Sequence, residues 1–327
     1  MAFDVSAISA WTQELGSKSD FILKPILAAK TLQTLTGIDK RMGITGNSIK
    51  IPTLESTTPW QAGTSCGFTT SGSTTVSQIT LTTTPITIQE QVCLQDLETY
   101  FTQQLLPDTS RPETFQLLDL WTGRKMQQIA LQIESALWQA KTTYTNATHL
   151  KRFNGWIHNI DNASDEILAT AQASISTTTV RGIIEEIAYT KIPSKIRDLG
   201  PVIVCGYDTF NIYRNKLMVD NLYAYDPTNT NLGEYRMKVF GTNVELIGLP
   251  GLNNDNAVDT GVLPTAVKNR VFATYQDNLL VGMNAANGLE DFDVWYSKDD
   301  QVLKFMCRFH LGVGVKYTDL VVSYLNS

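Results

Sequence analysis

Between residues 49 and 92, apolar and polar positions alternate along two runs. Ile49 and Ile51 lead out; Val76, Ile79, Leu81, Ile86, Ile88 and Val92 lead back. Period-two alternation of β-branched residues predicts strands. Gly63, Gly67 and Gly72 lie among Ser and Thr between the runs, which is turn chemistry. The pattern therefore predicts one long two-stranded ribbon with a soft tip. It carries no charge between Glu55 and Glu90. A lone ribbon is marginal in water, so this one is expected to pack against another molecule. A Thr-rich hairpin within an ordinary sheet is the plainer alternative.

The periodicity changes after the ribbon. Leu94–Leu106 reads as a short helix ended by Pro107. Pro112-Glu113 then starts a run to about Lys141 in which Leu118, Met126, Ile129, Ile133 and Leu137 recur on one helical face. A helix over about 112–141 makes a rod about 43 Å long, with Gly123 a candidate bend. Before the ribbon, residues 5–36 read as an extended arm with helical pieces, and Ile38–Gly46 as a polar connector. Asn146–Ser176 reads as loop-rich around RFNGWIHNI.

The remainder mixes both periods. Thr179–Thr190 and Asp208–Met218 read as helices, and Pro201–Cys205 (PVIVC) as a buried strand. Strand pairs follow over Tyr235–Leu249 and Val271–Met283. Phe292–Tyr324 reads as strand, tight loop at Ser297–Gln301, strand, and a last strand at Leu320–Leu325. Helices and strands occur without a βαβ rhythm, so the fold class is α+β.

Charge excludes some functions. The 327 residues hold 26 Lys and Arg against 32 Asp and Glu, a net charge of −6. A nucleic-acid-wrapping surface needs clustered cations. The pairs Arg124-Lys125 and Lys151-Arg152 are too short to make one. No stretch reads as a signal peptide or a membrane span. Cys66, Cys93, Cys205 and Cys307 are scattered and read as free thiols of a reducing compartment.

Candidate chemistry is sparse. His149, His158 and His310 stand apart from any Cys or carboxylate at metal-ligand spacing. No nucleophile elbow, zinc helix, dinucleotide fingerprint or phosphate loop occurs. The oxygen-rich stretch Asn253–Asp259 lacks Ca²⁺-loop spacing and a closing Glu. No catalytic residue, cofactor or metal is assigned.

The order of parts carries more information than any motif: arm, long ribbon, long helix, compact α+β region, terminal strands. It resembles the major capsid proteins of tailed bacteriophages, which share the Hong Kong ninety-seven fold. The likeness spans nearly the whole chain. It implies an N-terminal arm (1–44), an E-loop (45–93), a peripheral P domain (94–177) containing the spine helix, and an axial A domain (178–290). P-domain strands and a P-loop (291–319) follow, then a C-terminal strand (320–327) returning to the A domain. DVWYS, KDDQ, LKFMCRF and DLVVSYL resemble the family's closing strand, P-loop, return strand and last strand. PVIVCGYDTF resembles its first A-domain strand and following helix, and FNGWIHNI the turn after the spine helix.

The resemblance implies self-assembly into pentamers and hexamers of an icosahedral head in the virion, built in the bacterial cytoplasm. The head would enclose double-stranded DNA without reading its sequence. Expected partners are other copies, a scaffolding protein, a portal and decoration proteins, with no membrane. Subunit contacts are expected at Trp60 and Phe68 near the ribbon tip and at Asp299, Asp300 and Gln301 in the P-loop. Some relatives weld subunits through an E-loop Lys and a P-domain Asn. Here the ribbon has no Lys beyond Lys50, and the P-loop has Gln301 instead of Asn, so a shell without covalent links is expected. The same fold also serves encapsulins, bacterial compartment shells, which is the alternative reading. An enzyme of unknown class and a phage tail-tube protein are weaker readings; the long helix argues against the last.

Overall fold

The computed structural model describes residues 29–42, 44, 46–60, 63, 71–93, 113–144, 149–163, 165–172, 174–220, 235–253, 270–283, 292–297, 299–300 and 302–325. A long antiparallel sheet is organised by one strand, β12 (Val302–Val315). Along one edge runs β4 (Thr84–Cys93), in register from Cys93 opposite Val302 to Thr84 opposite Leu311. The other edge is shared. β11 (Phe292–Ser297) pairs with residues 302–307, and β10 (Leu279–Met283) pairs with residues 311–315. β1 (Asp39–Met42) closes the sheet as a parallel neighbour of β10. The polar connector expected at 38–46 thus contains a strand. DKRM has no apolar alternation because β1 is an edge strand with little to bury.

Odd-numbered residues of β12 point to the core: Leu303, Phe305, Cys307, Phe309 and Leu311 are all buried. Against them lies the long helix α2 (Glu113–Gln139), close to the predicted span. Ile129, Ile133 and Leu137 are buried, whereas Leu131 on the opposite side is exposed. Lys125 pairs with Glu90 at 2.6 Å, tying helix to β4. The preceding helix expected at 94–106 falls outside the described residues.

The second sheet has six strands in the order β5 (Ile167–Leu168), β13 (Val322–Tyr324), β9 (Val271–Thr274), β6 (Val202–Gly206), β8 (Glu245–Leu249) and β7 (Arg236–Lys238). Residues of β6 alternate between two cores. Val202 and Val204 join the cluster around α2, while Ile203 and Cys205 join a cluster with α4 (Val180–Glu186) and α5 (Tyr207–Val219). A sheet covered on both faces needs continuously apolar strands, which is why PVIVC reads as a run instead of an alternation. α4 continues as one π-helical turn over Ile187–Lys191.

The loop expected at 146–176 holds a helix, α3 (Trp156–Ala163). Trp156, Ile157 and Ile160 are buried on one side, and the Trp156 indole donates to the Gly314 carbonyl at 3.0 Å. The short apolar set at i, i+1 and i+4 is set among Asn and His, which weakens its period. Arg270, the fully buried residue before β9, pairs with Asp161 of α3 and donates to Ser323 of β13 at 2.9 Å, so one guanidinium joins α3 to β13. At the amino-terminal side, α1 (Lys30–Thr34) seats Leu32 and Leu35 in the α2 core.

Candidate assembly surfaces

The predicted ribbon is present. β2 (Ser48–Thr57) and β3 (Ser73–Thr82) pair over ten positions, from Ser48 opposite Thr82 to Thr57 opposite Ser73. Ten residues at ~3.3 Å each give a length of about 33 Å. β3 then passes through the single residue Thr83 into β4, so the returning run divides. Its first half pairs with β2 and its second half with β12.

The two halves of the ribbon have different environments. At the base, Ile51 and Leu81 are buried with Ile44 and Leu280, and Ile49 packs against them. The base crosses the first sheet where Gly282 pairs with Gly312. A Cβ at Gly312 would stand 2.1 Å from the Thr82 carbonyl oxygen, and one at Gly282 would stand 2.9 Å from the Leu81 side chain. Only two glycines side by side let a strand cross this closely.

Beyond the base the ribbon is uncovered. Leu54 and Val76 form a directly opposed pair and are 64% and 68% exposed. They lie on the face opposite Ile51 and Leu81, because Val76 is three residues from Ile79. The alternation that groups Val76 with Ile79 and Leu81 therefore breaks between them. The outer end is fastened by hydroxyls: Thr57 Oγ1 lies 2.9 Å from Ser73 Oγ, and Ser56 Oγ lies 3.2 Å from Thr74 Oγ1. Three residues past β2, Trp60 is 100% exposed. Phe68 lies outside the described residues.

Asp299 and Asp300 lie in the exposed turn between β11 and β12, and Gln301 is outside the described residues. Asp300 accepts a charge-assisted bond from Lys304 and one from Ser297 Oγ at 3.0 Å. Both hydrogen bonds, Lys304 first, hold its carboxyl below the usual range. The turn is thus tied within its own strands.

The base of the ribbon and this turn stand at opposite ends of β12: the turn adjoins Val302, and the ribbon departs beside Leu311. Nine residues of β12 separate these two points, about 30 Å.

The remaining candidates look structural. His149 Nε2 lies 3.1 Å from Ser135 Oγ, but that hydroxyl is buried and also lies 3.0 Å from the Gln132 carbonyl, the back-bonding of a helical serine. Among the described residues no group of His, Cys, Asp and Glu is arranged to hold a metal ion. Asn253 uses its side-chain oxygen on the Asp208 amide, and the rest of the oxygen-rich stretch lies outside the described residues. Cys93, Cys205 and Cys307 are not joined in disulfides, and burial pushes the Cys205 thiol far up. No described helix is long and apolar enough to cross a membrane.

No family model matches the chain, and no curated protein sequence does. Solved structures do. The capsid of an empty GTA particle superposes with a TM-score of 0.56 at 9% identity, over 92% of this chain and 90% of that one. The capsid of Myoviridae phage XM1 gives 0.56 at 13% identity, over 91% and 92%. The procapsid of satellite phage P4, determined with its size determination (Sid) protein, gives 0.54 at 8% identity, over 94% and 99%. The architecture is thus one found in capsid subunits. More particularly, the chain has the tailed-phage capsid fold, the Hong Kong ninety-seven fold, over about nine-tenths of its length.

Proposed function

We propose that this protein is the major capsid protein of a tailed phage, assembling into pentamers and hexamers of an icosahedral head around double-stranded DNA. The observation that carries the reading is a fold shared with three capsid proteins over about nine-tenths of both chains. The uncovered ribbon supports it independently. Leu54, Val76 and Trp60 are large exposed apolar groups on an element that the other described residues support only at its base. Such surfaces are usually buried between molecules. The outer ribbon and the Asp299-Asp300 turn are the proposed contacts with neighbouring copies, with Phe68 and Gln301 completing them. The peripheral domain is built on α2 and the long sheet, and the axial domain on the six-stranded sheet. The location is the virion shell, and scaffolding, portal and decoration proteins are the expected partners.

Negative-stain imaging of the expressed protein tests this. Closed shells, or five- and six-membered rings, are expected. A monodisperse monomer by light scattering, at every salt and protein concentration and with scaffolding protein present, overturns the reading.

A further inference from the structure

We propose that Glu134 is a proton-linked clasp: when neutral it holds the segment 29–35 and the turn Pro250–Leu252 on α2, and when ionised it releases them. Glu134 is 2% exposed at the centre of the α2 core. Its carboxyl joins three parts of the chain. Oε2 accepts from the Thr31 amide at 2.8 Å; Oε1 lies 2.6 Å from Thr31 Oγ1 and 3.2 Å from the Gly251 amide. The Trp138 indole donates to the same Thr31 hydroxyl at 2.9 Å. The turn presses close, since a Cβ at Gly251 would stand 2.5 Å from Trp138 Cδ1 and 2.9 Å from Glu134 Oε1.

Among the described residues no cation is paired with this carboxyl. Between Lys125 and Lys141, Glu134 is the one charged residue of the sequence. The turn 250–252 contributes no titratable group. Further off, Asp208 meets the turn through Asn253, and Arg236 bonds the Thr34 carbonyl at the far end of the segment. Lys30, on the exposed side of α1, is the charged group whose field lowers the carboxyl pKa. Burial outweighs it and the three donors, and pushes the pKa above the usual carboxylate range. In the neutral form the proton occupies Oε1 and faces the Thr31 hydroxyl, which turns to accept. Oε2 keeps the Thr31 amide.

The sign follows from linkage. Closed, the carboxyl holds its proton to a raised pH; opened to water, it loses it near the ordinary Glu value. Clasp stability is therefore complete below the ordinary value and is lost as pH rises through the raised one. In that window opening releases one proton, so the opening constant grows tenfold per pH unit and is level outside it.

Amide hydrogen exchange of the full chain, followed by mass spectrometry on peptides covering 29–35 and 250–253, tests this between pH 4 and 9. Protection corrected for intrinsic exchange is expected to fall together in both peptides, by up to tenfold per pH unit, then level off. In Glu134→Gln, protection should be flat. Thr31→Val removes the hydroxyl whose charge-assisted bond to the ionised carboxylate is stronger than the bond it accepts from the neutral acid, so the fall should extend to higher pH. Flat protection in the wild type, or a fall of the same slope in Glu134→Gln, overturns the proposal. If Glu134→Gln does not fold, Thr31→Val decides: an unmoved profile overturns it.

Discussion

Trp60 offers the sharpest test of whether the ribbon acts between molecules. Its side chain is 100% exposed in the single chain, so Trp60→Ala removes no contact made within the described residues. Substitutions of that kind change folding stability by about 0.5 kcal/mol or less. Burial against a neighbouring copy would have a different consequence. A Trp side chain covers roughly 150–250 Å². At about 25 cal/mol per Å² this is ~4–6 kcal/mol, an upper bound before ordering and desolvation are subtracted. Truncation of an aromatic anchor typically costs about 2–4 kcal/mol, equivalent to a contact weakened roughly 30-fold to several hundred-fold. The assay is a pair of measurements on one preparation. Thermal melting of the unassembled chain should be unchanged, while the protein concentration needed for assembly, followed by light scattering, should rise by roughly one and a half to three orders of magnitude. A melting temperature lowered by several degrees with assembly unaffected would place Trp60 in the core of its own chain and refute the reasoning.

Other outcomes are expected. Boiling in denaturant under reducing conditions should release a single band of monomer size, because the ribbon has no Lys beyond Lys50; a ladder of multimers contradicts this. Gly312→Ala would push a methyl to within 2.1 Å of the Thr82 carbonyl, so it should destabilise the chain by about 3 kcal/mol, read as a lower urea midpoint. An unchanged midpoint would mean that the ribbon base does not cross the sheet there. In a mobility-shift titration at physiological salt the unassembled chain should bind DNA more weakly than micromolar and without sequence preference, given 26 basic against 32 acidic residues; sub-micromolar binding counts against passive enclosure.

The sequence by itself determined the elements whose signal is local. The alternation in β2 and β3, the apolar face of α2 and the uniform run of β6 each follow from how one element meets one or two surfaces, and such periods survive in the residue order. The order of those elements carried the resemblance to the capsid fold. Where burial depended on a distant segment, the residue order was silent. β1 became a strand because β10 offered it an edge, although DKRM has no strand pattern. α3 became a helix because β12 received Trp156 and Arg270 received Asp161. Val76 shares its run with Ile79 and Leu81, yet only the pairing register shows it facing the other way beside Leu54. Gly282 and Gly312 are 30 residues apart and mean nothing until the ribbon crosses them. Glu134 was visible as a lone charge in an apolar helix, but its partners, Thr31 and Gly251, lie more than 100 residues away on either side. Tertiary structure decided these features because packing, register and desolvation are properties of segments brought together, and a one-dimensional pattern records only the surface each segment prepares.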